Sequence, residues 1–173
     1  MVADQLARTG QRTTRGAGGR QTAAADWIGT AARIGLAVVW GWAGFAKVGD
    51  PEAAAQAVRA YRLLPEALVK PFGYGLPFLE MGLALLLLVG LGTRIAAVIS
   101  GVLLLVYIGS IASVWARGIS IDCGCFGGGG AVSASKTAYL QEICRDIGLL
   151  LVACWLIRRP RSRVSLDGLL ATP

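Results

Sequence analysis

The stretch IAAVISGVLLLVYIGSIASVWA, residues 95–116, decides the fold class because it contains no charged side chain along its whole length. A helix needs about 20 predominantly apolar residues to cross the hydrocarbon core of a bilayer. Three further stretches have comparable length and apolar character, namely residues 27–46, 74–92 and 139–157. We therefore expect an all-α integral membrane protein built as a bundle of four transmembrane helices.

The composition agrees with a membrane location and limits the chemistry. Of the 173 residues, 55% are hydrophobic and 16% are charged, and the mean hydropathy is +0.61. These values are unusual for a water-soluble domain. Histidine is absent, which excludes His-ligated haem, His-containing zinc sites and His-based catalytic triads. Any chemistry must use cysteine, carboxylates, lysine or arginine.

The distribution of basic residues predicts the orientation. With four spans, both termini lie on one side; the termini and the turn between the second and third spans carry nine Lys and Arg residues, against six in the other two loops. The positive-inside rule therefore places both termini in the cytoplasm. The net charge of +7 is spread over short flanks around apolar blocks, so we expect no nucleic-acid partner.

This topology divides the chain into three parts. Residues 1–26 form a disordered cytoplasmic arm, residues 27–157 form the transmembrane domain, and residues 158–173 form a basic cytoplasmic tail. The outer loops are residues 47–73 and 117–138. In the first loop, Asp50 and Pro51 predict the start of a short surface helix that stops before Pro65. Its role is either to shield the bundle or to gate a substrate.

The second outer loop contains IDCGCFGGGG, residues 121–130, which the topology places on the oxidising side of the membrane. A disulfide between Cys123 and Cys125 would close a small, strained ring that is easier to reduce than a structural disulfide. Three interpretations remain open: a redox-active pair, a Cu(I) site and a structural turn. We favour the redox pair, because no histidine and no neighbouring methionine completes a copper relay.

Charged side chains inside the predicted spans need an explanation because their insertion costs about 2.5–3.5 kcal/mol each. They are Arg33, Glu80, Glu142, Arg145 and Asp146. Arg33 lies near the cytoplasmic end, where it can extend to the interface. The other four lie near the outer ends and predict a polar cluster beneath the CGC loop, in which Lys47 balances the negative charge left by Glu142, Arg145 and Asp146. The cluster either fixes the helix register or moves protons and tunes the thiols.

Four motifs resemble the MauE branch of the DoxX-like membrane proteins, the branch with a CGCFG element. They are RIGLAVVWGWAGFAK at 33–47, PFLE at 77–80, GLGTR at 90–94 and SIDCGCFGGG at 120–129. The resemblance covers residues 27–158 and implies a four-helix protein of the bacterial inner membrane. In the resemblance, Cys123 and Cys125 match the family's redox motif, and Lys47 and Glu80 match its recurrent polar positions.

The resemblance also implies partners. Such proteins typically work beside an extracytoplasmic thioredoxin-like protein, DoxX relatives are linked to quinone-dependent oxidation, and small members are associated with respiratory supercomplexes. The leading functional hypothesis is thiol–disulfide exchange with a thioredoxin-like or client partner through Cys123 and Cys125. One alternative is a non-catalytic accessory subunit of a respiratory-chain complex, and another is a Cu(I)-handling protein. The residues themselves predict no cofactor; quinone enters only through the resemblance.

Overall fold

A computed structural model describes residues 26–159, except for the side chain of Lys136. Almost all of the arm expected at residues 1–26 and of the tail expected at residues 158–173 lies outside this range. The described helices are α1 (Asp26–Val48), α2 (Pro51–Ala60), α3 (Glu66–Val89), α4 (Thr93–Ala116) and α5 (Tyr139–Arg158). Between α4 and α5 lie β1 (Ile121–Asp122), β2 (Gly130–Ala131) and a 3₁₀ turn (Ala134–Lys136).

Four helices share one apolar core. Leu36 of α1, Leu87 of α3, Leu104 of α4 and Leu156 of α5 are all buried in the same cluster. The opposite faces carry large exposed apolar side chains, among them Phe45, Phe78, Leu105 and Leu151. Large exposed apolar surfaces are expected where helices face lipid instead of water. The chain is therefore a helical membrane protein.

Within residues 26–159, three helices are long and apolar enough to cross a bilayer, namely α1, α3 and α4. The fourth predicted span, α5, is not among them because Glu142, Arg145 and Asp146 all fall in its first turns. Its second half nevertheless enters the shared core through Ala153 and Leu156.

The second predicted span and the first outer loop have different bounds in the structure. α3 begins at Glu66 instead of residue 74, and it continues through Pro71 and Pro77. Glu66 and Lys70 interrupt the apolar pattern, so a search for apolar length starts the span too late. Proline is tolerated in membrane helices where neighbouring groups satisfy the freed backbone.

α2 lies across the N-terminal part of α3. The carboxylate of Asp50 accepts a hydrogen bond from the backbone N–H of Ala53 at 2.9 Å, and Pro51 is the first helical residue, which confirms the predicted start. A Cβ atom added to Gly73 would lie 2.5 Å from the Cα atom of Ala55. The two helices therefore touch backbone to backbone, which only glycine permits on the α3 side.

The expectation that Arg33 extends to the interface is wrong. Arg33 is 2% exposed, and its Nη1 donates hydrogen bonds to the carbonyl oxygens of Leu87 and Leu88, at 2.8 and 3.2 Å. The last carbonyls of a helix lack intrahelical donors and carry partial negative charge. Arg33 therefore binds the C-terminal end of α3.

The chain is also not purely α-helical. β1 and β2 form a two-stranded antiparallel ladder that pairs Ile121 with Ala131 and Asp122 with Gly130. This ladder closes the loop that contains both cysteines of the CGC motif and fixes its base.

Candidate functional site

The CGC turn brings two sulfur atoms together. Gly124 has φ +68°, a conformation that residues with a side chain rarely adopt. As a result the chain reverses between the cysteines, and the backbone N–H of Cys125 donates a hydrogen bond to the sulfur of Cys123 at 3.3 Å. Both residues are unbonded thiols. The structure therefore describes the reduced form of the pair.

The thiols lie inside a small apolar cluster. Cys123 is 9% exposed and Cys125 is 7% exposed. Ile111 and Val114 from the end of α4 and Tyr139 from the start of α5 surround them. The hydroxyl of Tyr139 donates to the carbonyl oxygen of Ile119 at 2.6 Å and accepts from the N–H of Ile121 at 2.8 Å, which holds the loop against α5.

α2 covers the turn from the other side. A Cβ atom added to Gly124 or Gly129 would lie 2.8 or 2.6 Å from the Cβ atom of Ala57. Just after α2, the hydroxyl of Tyr61 donates to the carbonyl oxygen of Cys123 at 3.1 Å. Arg117 in turn donates to the carbonyl oxygen of Tyr61 at 2.5 Å. A protein partner must displace this cover to reach either sulfur.

The electrostatic surroundings of the two thiols differ. A hydrogen bond between the thiols lowers the pKa of Cys125, and the positive charges of Arg145 and Lys47 lower it further. The same hydrogen bond, together with burial, raises the pKa of Cys123. Cys125 is therefore the sulfur that carries the negative charge when the pair loses one proton.

Lys47 and Glu80 form a buried ion pair. The ammonium group of Lys47 lies 2.6 and 2.9 Å from the two carboxylate oxygens of Glu80, and the residues are 7% and 0% exposed. The hydroxyl of Tyr107 also donates to Glu80, at 2.6 Å. Lys47 was expected to balance the acids of α5. The structure corrects that expectation, because the ammonium group is bonded to Glu80 instead.

The charged residues of α5 form a second group. Arg145 pairs with Asp146 at 2.8 Å and lies 4.7 Å from the ring centre of Phe126, the residue after Cys125. One carboxylate oxygen of Glu142 and one of Asp146 are buried without a hydrogen-bond partner. Both acids act electrostatically on the thiols, Glu142 on Cys123 and Asp146 on Cys125. This group therefore lies next to the CGC turn.

Sequence reasoning missed Tyr61, Ala57 and Tyr107. Tyr107 carried a usable signal, because a tyrosine hydroxyl inside an apolar span requires a polar partner. Ala57 carried none, since its role depends on how α2 packs against the turn.

The family model described as "Methylamine utilisation protein MauE" matches residues 25–159, which include every described helix. The chain belongs to the MauE family. Two curated relatives, both described as "Methylamine utilization protein MauE", come from Methylorubrum extorquens and Methylophilus methylotrophus. The first is 36% identical over 104 residues, which are 58% of this chain and 54% of the relative. The second is 37% identical over 95 residues, which are 54% and 50%.

This MauE-family chain thus spans about half the length of the curated relatives it matches. No solved structure matches it. The arrangement of the thiols, α2 and the α5 carboxylates is therefore described on the geometry of this chain alone.

Proposed function

We propose that this MauE-family protein is a membrane thiol–disulfide exchange protein and that Cys123 and Cys125 are its reacting pair. The observation that carries the proposal is the contact between the N–H of Cys125 and the sulfur of Cys123 at 3.3 Å. This contact turns the sulfur of Cys123 towards Cys125 in a loop whose base is closed by the β ladder, and the pKa of the Cys125 thiol is lowered.

The proposed exchange has two steps. The thiolate of Cys125 attacks a disulfide of the partner, so that the partner's S–S bond breaks and a mixed disulfide to Cys125 forms. Cys123 then loses its proton, attacks the sulfur of Cys125 and releases the partner as a dithiol. One disulfide has moved onto Cys123 and Cys125, and the reverse sequence returns it.

The cover formed by α2 determines which molecules can react. Because both cysteines are more than nine-tenths buried, a protein partner must dock on α2 and shift it before its sulfur can reach theirs. The polar groups Lys47–Glu80 and Arg145–Asp146 hold the helices below the turn while α2 moves. We assign these residues a supporting role: their positive charges favour the thiolate of Cys125, and their ion pairs fix the helices relative to one another.

The setting we propose is the bacterial inner membrane, with four spans and with the CGC loop on the extracytoplasmic side, where disulfides persist. The names of the relatives connect them with methylamine utilisation. We propose that this chain serves a system of that kind and exchanges disulfides with an extracytoplasmic thioredoxin-like protein or an exported client.

Trapping the mixed disulfide tests this proposal. Cys123→Ala removes the resolving thiol, so Cys125 should accumulate a reductant-sensitive adduct with its partner, visible on non-reducing gels and by mass spectrometry. Cys125→Ala should accumulate much less, and Cys144→Ala should behave like the wild type because Cys144 lies outside the turn.

The opposite result is equally clear. If neither variant forms an adduct, and both thiols of the wild type label fully without reductant in intact cells, the pair does not cycle through a disulfide. Co-purification with a respiratory complex after loss of both thiols would then support an accessory subunit.

A further inference from the structure

Three donor atoms from different parts of the fold converge at the CGC turn. A carboxylate oxygen of Asp122, the sulfur of Cys123 and a carboxylate oxygen of Glu142 all lie within 4.8 Å of one another. Asp122 comes from β1, Cys123 from the turn and Glu142 from the first turn of α5. The fold thus builds a mixed sulfur and oxygen donor set from residues on both sides of the β ladder.

The local charge is negative and incompletely balanced. Glu142 and Asp146 each have one buried carboxylate oxygen without a hydrogen-bond partner. Arg145 is the cation that the structure places against Asp146, and Lys47 is bonded to Glu80. A buried carboxylate oxygen without a donor is costly, so a bound cation would satisfy a need that the described side chains leave open.

The donor types select the class of cation. Cu(I) prefers soft sulfur ligands, whereas carboxylate oxygens combined with a thiolate suit the borderline ion Zn²⁺. Zinc bonds of about 2.3 Å to sulfur and about 2.0–2.2 Å to oxygen place neighbouring ligand atoms roughly 3.6 Å apart. The three donor atoms lie within 4.8 Å of one another, so the ligands must move closer together when the cation binds. Three protein donors are also the number found in zinc sites that keep a position open.

We propose that Asp122, Cys123 and Glu142 form a binding site for a divalent cation of the Zn²⁺ class, which is occupied when the thiol pair is reduced and released when it forms a disulfide. The site goes beyond the exchange reaction, because it requires no protein partner. Binding of the cation through sulfur requires that Cys123 release its proton. When a partner's disulfide oxidises the pair and is itself reduced to a dithiol, a step that rests on the proposed function, this thiolate donor is lost and the cation leaves.

The test uses the full chain, reduced and purified in detergent, with Zn²⁺ and Co²⁺ as probes. We expect one Zn²⁺ per chain, and sulfur-to-cobalt charge-transfer absorption with Co²⁺. Glu142→Gln and Asp122→Asn should weaken Zn²⁺ binding at least tenfold, and Cys123→Ser should abolish it. Glu52→Gln and Cys144→Ser are matched controls outside the site and should bind like the wild type.

A measurement on the unaltered chain avoids dependence on the folding of variants. Zn²⁺ should slow alkylation of Cys123 while leaving the exposed Cys144 unaffected, and oxidation of the pair should release the bound ion. Absence of saturable binding, or equal slowing at both cysteines, would overturn the site. Binding that survives Glu142→Gln unchanged would also overturn it, since the thiols alone would then hold the metal. None of these readouts depends on whether exchange with a partner occurs.

Discussion

Cys125 and Cys123 are two residues apart in one turn, yet different charges act on each sulfur. Arg145 interacts with both thiols, Lys47 and Asp146 act on Cys125 with opposite sign, and Glu142 acts on Cys123. A cation favours the ionised thiol and an anion disfavours it. The charges of Arg145 and Lys47 therefore add to an asymmetry that begins with the hydrogen bond between the thiols and with burial.

Arg145→Gln should raise the pKa of the Cys125 thiol, because the charge that stabilises the thiolate is removed. We expect the midpoint of the pH–rate profile for alkylation of Cys125 to move upward, so that alkylation below the midpoint becomes slower, by up to about tenfold. Site-resolved mass spectrometry of alkylated protein, in a background with Cys144→Ser and Cys154→Ser, measures this profile.

Arg145→Lys keeps the positive charge and should leave the midpoint near its original value. Arg94→Gln is the matched control for loss of an arginine, because Arg94 lies at the start of α4 and the CGC turn follows the end of that helix. If Arg145→Lys and Arg145→Gln shift the profile equally, Arg145 acts by packing against Phe126 and its charge is not the cause.

At the scale of elements, helix α2 covers the CGC turn and is in direct contact with it. We call α2 the lid of the turn. The contact depends on Gly129, which faces Ala57, while the neighbouring Gly130 faces open space. Both glycines have positive φ values, +95° and +116°. Replacement by alanine therefore imposes a similar backbone cost at both positions, and only at Gly129 does it also push α2 away.

Gly129→Ala should open the lid, and Gly130→Ala should not. We expect Gly129→Ala to speed alkylation of Cys123 and to lower the free energy of unfolding in detergent by about 1–3 kcal/mol more than Gly130→Ala, the usual cost of overpacking. Alkylation rates and thermal unfolding curves of both variants provide the measurement. Equal behaviour of the two variants would show that contact with Ala57 does not control access.

Helices could be predicted from the sequence where one physical signal was sufficient. Apolar length located α1 and α4 closely, and the Asp50–Pro51 cap located the start of α2. The start of α3 was wrong because Glu66 and Lys70 are polar residues of a helix that extends beyond the apolar stretch.

The candidate site was predictable only in part. The CGC spacing identified the thiols, and depth in the spans identified the charged residues as a group. Which charged residues pair depends on which helices are neighbours, and the sequence does not show this. In the structure Lys47 pairs with Glu80, so the acids of α5 keep carboxylate oxygens without a partner among the described residues. The contact of α2 with the CGC turn could not be predicted either, because it joins residues that are far apart in the sequence.

At the scale of the whole molecule, α5 decides the topology. Its 20 residues rise about 1.5 Å each, so the helix is about 30 Å long and can match a bilayer core. Ala153 and Leu156 pack in the core shared with α1, α3 and α4. The charged residues lie within about 10 Å of the loop end, next to the CGC turn, while Arg158 and Arg159 mark the other end.

We therefore expect α5 to cross the membrane, so that the CGC loop and the residues after Arg159 lie on opposite sides. Reporter fusions at Gly129 and at the C-terminus should give opposite signals, and a fusion at Gly92 should match the C-terminus. Leu63 and Gly129 flank the α3–α4 pair, so fusions there should agree whatever α5 does, which makes them an internal control. Identical signals at Gly129 and the C-terminus would mean that α5 lies on one side of the membrane. The charged first turns of α5 would then face water, and their proposed role beneath the thiols would have to be abandoned.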